Sequence, residues 1–191
     1  MRRVRSRIAV AALWIGMSPC AMAQINRVGA YVEGMKPSGE FAETASMLIG
    51  VGLSADLTLS PRWIWSAQAG RVIPLLTNSA KETFDKYGIF QLLTGPRVYF
   101  ADEEAGVRPF AGVLGGLQQF GFKTKPIDPP LGDGYGYSDS GVRWSAAVVA
   151  GARKGDFDLS LRYAYFTSSG DYKAYGSLAL TFAWMPGVDS W

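Results

Sequence analysis

This 191-residue sequence predicts an all-β fold, an eight-stranded antiparallel up-and-down transmembrane β-barrel preceded by a cleaved signal peptide. Three observations predict it. Apolar residues recur with a period of two along most of the chain after residue 23, the connections alternate between long and short, and the polar faces are built from small residues rather than charges.

Residues 1–23 have to be read apart from the rest. Arg2, Arg3, Arg5 and Arg7 make a positive start, residues 8–17 are an unbroken apolar run, and Ala21-Met22-Ala23 is an A-x-A cleavage pattern that leaves Gln24 as the mature N-terminus. Ten apolar residues are too few to span a bilayer as a helix, which needs about twenty. A short membrane anchor therefore fits less well than an export signal. A lipidated Cys20 fits poorly too, because Pro19 directly precedes it. Without this leader the Lys plus Arg count falls from 19 to 15 against 16 acids, so the net charge goes from +3 to −1. The basic character belongs to the leader, and a nucleic-acid partner is not expected. Cleavage also removes the single cysteine, and the sequence has no histidine. Thiol chemistry, disulfides, Cys/His metal sites and every mechanism with a histidine base are thereby excluded from the mature part.

The strands follow in order. Residues 25–34 place Val28, Ala30 and Val32 on one face and Arg27, Gly29, Tyr31 and Glu33 on the other. Residues 47–59 are apolar at every odd position, whereas a helical template from Met47 would select Gly50, Val51, Ser54 and Thr58, which form no apolar face. Residues 62–75 carry Trp63, Trp65, Ala67, Ala69 and Ile73 on one side. Residues 87–100 set Phe90, Leu92, Pro96, Val98 and Phe100 against Gln91, Gly95 and Arg97. Residues 107–122 read as a strand by composition, but large apolar residues fall on both faces and the phase stays open. Residues 142–150, 157–165 and 178–184 alternate cleanly. No segment shows a helical stripe.

The seven gaps, 35–45, 60–61, 76–86, 101–106, 123–140, 153–155 and 167–171, have lengths of 11, 2, 11, 6, 18, 3 and 5. In a meander the odd gaps share one rim, so long loops on one rim and tight turns on the other predict the layout of a bacterial outer-membrane barrel. A soluble lipocalin-like barrel alternates as well, but keeps its polar face in water. Here the polar faces are mainly Gly, Ser and Ala with the sparse charges Arg27, Asp56, Arg97, Arg143, Asp158 and Arg162, which suit a narrow interior nearly filled by side chains. The apolar face carries Trp63, Trp65, Phe100, Phe157, Tyr163, Tyr165 and Trp184, aromatics that favour the headgroup level.

The segments Gly95-Pro96-Arg97-Val98-Tyr99-Phe100, Val107-Arg108-Pro109-Phe110-Ala111-Gly112-Val113 and Leu159-Ser160-Leu161-Arg162-Tyr163 resemble strand motifs of the small outer-membrane β-barrel family, which includes the OmpA transmembrane domain, OmpX and opacity-type proteins. The resemblance implies insertion from the periplasm by the outer-membrane assembly machinery, which reads a terminal strand usually ending in an aromatic. Residues 176–184 alternate correctly, but Met185-Pro186-Gly187 interrupts the run and Trp191 is one position out of phase. Either the strand bulges at Gly187 or a short periplasmic tail follows Trp184.

Enzymes among barrels of this size, as the resemblance has it, use a histidine; with none here, no catalytic residues, cofactor or metal are expected. Asp133 and Asp139 in the longest loop and the acidic turn Asp102-Glu103-Glu104 read more simply as solvated carboxylates. In the lumen, Arg27, Arg97, Arg143 and Arg162 face Glu33, Asp56 and Asp158. An anion-selective pore is one reading of them. An ion-pair network that plugs the barrel is the favoured one, because buried charges must pair and eight strands enclose little free space. Loop 123–140 combines Pro126, Pro129 and Pro130 with Tyr135 and Tyr137 set among glycines, a candidate recognition surface or else a plain solvated loop. The expected protein is a monomeric, non-enzymatic barrel with a structural or adhesion-type role through its loops. A narrow pore is the alternative and a lipid-modifying enzyme a more distant one. Its expected partners are outer-membrane lipids, lipopolysaccharide, the assembly machinery and an unnamed extracellular molecule.

Overall fold

A computed structural model describes residues 24–125, 138–170 and 172–187. Eight strands, β1 (Gln24–Pro37), β2 (Ala45–Thr58), β3 (Trp63–Leu76), β4 (Phe84–Tyr99), β5 (Arg108–Thr124), β6 (Ser138–Lys154), β7 (Phe157–Phe166) and β8 (Tyr175–Trp184), form a closed antiparallel barrel in sequence order. Each strand pairs with its neighbour, and β1 closes on β8 from Ala30↔Trp184 to Pro37↔Ser177. Closure leaves no unpaired sheet edge, the condition a strand-built protein must meet to cross a bilayer. The signal-peptide residues, Ala23 included, and the tyrosines of the longest loop, Tyr135 and Tyr137, lie outside the described residues; Gln24 opens β1.

The expected alternation sets the wall. Outward positions are apolar and exposed, as at Leu53 (65%), Leu161 (55%) and Phe157 (50%), while the residues between them are buried. The inside is held open for large rings by glycine. Gly52 and Gly70 face each other across β2 and β3, and a Cβ on Gly52 would come within 2.8 Å of the Tyr31 ring.

The open phase of residues 107–122 is settled by the structure. Arg108, Phe110, Leu114, Gln118 and Phe120 point inward, and Val107 and Val113 point to the outside. Hydropathy alone could not separate the faces because this strand lends apolar bulk to both the lumen and the outer wall. The strands also run beyond their expected limits, most at β6, whose extension to Lys154 turns Arg153 into the barrel. The turn that follows is only Gly155 and Asp156, with Gly155 at φ 58°, a left-handed conformation glycine accepts without strain.

Two short helices, α1 (Phe41–Thr44) and α2 (Asn78–Thr83), interrupt the loops where no helix was expected. At four and six residues they are too short to carry a periodic stripe. Local bonds hold them: Thr77 Oγ1 accepts from Ala80 N at 3.4 Å, and Thr77 donates to the Thr44 and Glu43 carbonyls at 3.0 and 2.8 Å. At the other end β8 stops at Trp184. Met185 folds inward, buried, with its N–H on Asp156 O at 2.6 Å, and Gly187 bridges to Arg27. The bridge from Gly187 to Arg27 keeps the register of Ala30↔Trp184, so no bulge is seen there; Trp191 lies outside the described residues.

Candidate functional site

The lumen is layered. Nearest the short turns, Arg153 is held between two carboxylates: its Nη2 lies 2.6 Å from Asp56 Oδ2 and 2.7 Å from Asp158 Oδ2, and its Nε donates to Asp158 Oδ1. Ser66 Oγ donates to Asp56 Oδ1 at 2.6 Å, and Arg97 Nη1 is 3.5 Å from Asp158 Oδ2. Aromatic faces take up remaining cationic charge, with the guanidinium carbon of Arg108 4.3 Å from the Tyr99 ring centroid and that of Arg97 5.1 Å from Phe110. In the middle layer Arg162 reaches past β8 to Glu33 Oε2 at 2.6 Å and donates across the barrel to Gln68 Oε1 at 3.0 Å, while Thr181 donates to Glu33 at 3.2 Å. These pairs are almost fully withdrawn from water, so their value depends on complete partnering rather than on charge count.

The third layer, under the long loops, is aromatic. Arg143 lies over Phe120, Tyr175 and Tyr172, at 4.7, 5.2 and 5.9 Å from the ring centroids. Tyr175 stacks on Phe166 at 4.7 Å and donates to Gln118 Oε1 at 2.8 Å. From above, α1 inserts Phe41, stacked on Tyr175 at 4.6 Å and tilted against Tyr87 at 5.9 Å. Outside this lid Glu40 and Lys173 pair between the first and last long loops, and the hydrogen bond to Glu40 raises the Lys173 pKa above its ordinary value.

The sequence-derived charge set is thus brought together in part. Glu33 with Arg162, and Asp56 and Asp158 with Arg97, meet inside the barrel. Arg27 stands apart from them. It lies near the start of β1, at the turn rim, where its Nη1 bonds Asp156 Oδ1 at 2.9 Å and Met185 O at 2.8 Å. Arg143 sits in the lumen, but against rings rather than carboxylates, because the acids lie in the lower layers. Sequence reasoning missed Arg153, the centre of the lower network, by assigning it to a turn. Its signal was present, since Arg143 and Arg153 fall on the same alternation of β6. The Phe41 lid had no such signal. Among the described residues no group of three or more His, Cys, Asp or Glu is placed to hold a metal ion, and the acidic turn engages arginines, Asp102 with Arg62 at 2.9 Å and Glu103 near Arg108 at 3.9 Å.

A closed barrel with an apolar outer wall and a charged, filled lumen defines a small integral outer-membrane β-barrel. The solved structures agree at the level of fold. The chain is similar to Neisserial surface protein A, with TM-score 0.63 and 16% identity over 85% of this chain and 97% of that one. It is also similar to Ail, the attachment invasion locus protein of Yersinia pestis, solved in complex with the heparin analogue sucrose octasulfate, with TM-score 0.55 and 13% identity over 85% and 99% of the two chains. No family model matches the sequence, and no curated protein does.

Proposed function

We propose that this protein is a non-enzymatic surface barrel whose rigid wall anchors the four long loops for envelope or adhesion-type contacts. The observation that carries the reading is the occupied lumen. Arg153 and Arg162 are paired with carboxylates at 2% exposure each, and Phe41 stacks on Tyr175 at the loop end. A barrel filled in this way offers its loops and outer surface for work, and loops set on a rigid scaffold are where recognition usually resides. The attachment for which Ail is named is in keeping with this reading. We place no catalytic residue, and we take the barrel to be a monomer inserted by the outer-membrane assembly machinery.

The test is surface expression in a non-adherent bacterium, with residues 126–137 replaced by a short Gly-Ser turn. Adhesion to host cells or matrix should fall to background while the folded barrel remains in the membrane. Undiminished adhesion would refute the loop reading. The narrow-pore alternative draws on one feature, a cavity of about 430 Å³ at the turn rim lined by Arg27, Arg108, Arg153, Asp56 and Glu103. Single-channel recording decides between the two, and the network predicts no sustained current.

A further inference from the structure

The outer wall carries polar residues where lipid-facing apolar ones are the rule. Arg71 on β3 is exposed and shares the outward face of Trp65, Ile73 and Leu75. The register aligns it with Phe90 on β4, which pairs with Gln119 on β5. Two residues toward the loops, Gly88 pairs with Gly121 and Gly121 with Ser140; two further, Lys86 pairs with Lys123 and Lys123 with Ser138. Three successive outward rows therefore run from Arg71, over a floor of two glycines, to a pair of lysines placed directly opposite each other. Like charges in that position repel. Among the described residues no acid is within ion-pair distance of Arg71, Lys86 or Lys123. The nearby Asp139 accepts instead from Tyr172 Oη at 2.6 Å.

The rows enclose real space. One groove of about 310 Å³ is lined by Arg71, Gly88, Phe90, Gln119 and Ser140; a second of about 440 Å³, lined by Lys86, Lys123 and Ser138, adjoins it through Gly121 and Ser140. A Cβ on Gly88 would meet nothing within 4 Å. The exposed outward rings of Phe90, Trp144 and Tyr165 lie toward the loop end as an interfacial girdle would. Arg71 pairs with Phe90 in that ring band, Ile73 and Leu75 follow it on β3, and the lysines stand nearer the loop rim.

We infer that this groove on β3–β6 seats the phosphorylated disaccharide headgroup of an outer-leaflet glycolipid, one phosphate on Arg71 and the other between Lys86 and Lys123. The four residues separating Phe90 from Lys86 put the two cationic points roughly 13 Å apart along the strand. A glycerophospholipid offers one phosphate at one height, whereas a bisphosphorylated disaccharide carries one at each end. Gln119, Ser138 and Ser140 line the space between as hydrogen-bonding partners for sugar hydroxyls. The inference goes beyond the loop reading and does not depend on it, since it concerns the wall.

Native mass spectrometry of the purified barrel titrated with bisphosphorylated lipid A provides the test, with unheated gel mobility confirming that each variant is folded. The wild type should retain one lipid A. Lys86→Gln with Lys123→Gln should weaken retention about thirtyfold and Arg71→Gln about fivefold, as expected for loss of two and one interfacial cations. Gly88→Leu, which keeps all charges and fills the floor, should also abolish the complex. Lys36→Gln, which removes a charge from the same rim on β1, should leave it unchanged. Equal binding of dephosphorylated lipid A or of phosphatidylglycerol, equal weakening by Lys36→Gln, or wild-type retention in the groove variants would each overturn the assignment. Shortening loop 126–137 should leave lipid A retention intact, so failure of the loop reading and failure of this one are distinguishable.

Discussion

Leu161 and Arg162 are neighbours on β7 that meet opposite environments. Leu161 is 55% exposed on the outer wall, and Arg162 is 2% exposed and bonded to Glu33 and Gln68. Leu161→Arg puts a charge near the bilayer midplane and should cost about 2–4 kcal/mol, seen as slower and less complete folding into lipid vesicles. Arg162→Leu puts nothing charged in lipid but leaves Glu33 buried without its cation, at a cost of about 3–5 kcal/mol. Replacing Glu33 and Arg162 together with Leu should recover much of that loss, because the charges then vanish as a pair. Urea titration of the single and double variants measures both outcomes; a double variant no more stable than Arg162→Leu alone would show that the pair is not the source of the loss. A nitroxide at position 161 should be accessible to lipid-dissolved oxygen and one at position 160 should not, since Ser160 is buried.

At the scale of elements, α1 is the part whose contribution is most separable. It has four residues, no side-chain cap and one anchoring ring. Phe41→Ala removes the stack on Tyr175 and the contact with Tyr87, worth about 0.5–1.5 kcal/mol per aromatic pair. The barrel below should stay folded, because its ladder and ion pairs do not involve α1. Hydrogen exchange should then rise at residues 41–44 and stay slow in β4 and β8. Faster exchange throughout the barrel would mean that the lid is part of the folding unit. The same reasoning separates Arg143 from the other lumen arginines. It is held by rings, so Arg143→Met should be tolerated far better than Arg153→Met, which would leave both Asp56 and Asp158 short of a partner. Midpoints of thermal unfolding compare the two.

For the whole molecule, closure and a filled lumen make two expectations that stand together. The unheated protein should migrate differently from the boiled one in detergent gels, because every strand is paired on both sides and no edge is open to attack. In planar bilayers the same preparation should show at most rare, small openings. A large steady current lost on Arg97→Ala would place the conducting path through the lower network and reverse the occluded reading.

The strands, their number and the inside-outside phase of most of them were legible in the sequence, because alternation on a pleated chain is a local property and each side chain declares its own face. Residues 47–59 and 157–165 show this most plainly, and the run of long and short gaps carried the meander with it. The phase of β5 was not legible, since Phe110, Leu114 and Phe120 are apolar yet fill the lumen, a choice made by the space between opposing strands. The partners of Arg153, Arg143 and Arg27 were decided in the same way. Whether an arginine meets a carboxylate, a ring or a turn carbonyl depends on which residues of distant strands reach its height in the barrel, and that follows from register. The Phe41 lid and the cationic rows of Arg71, Lys86 and Lys123 are likewise products of closure. Alternation is a property of one strand, but a layer across a barrel belongs to all eight, and only their pairing sets it.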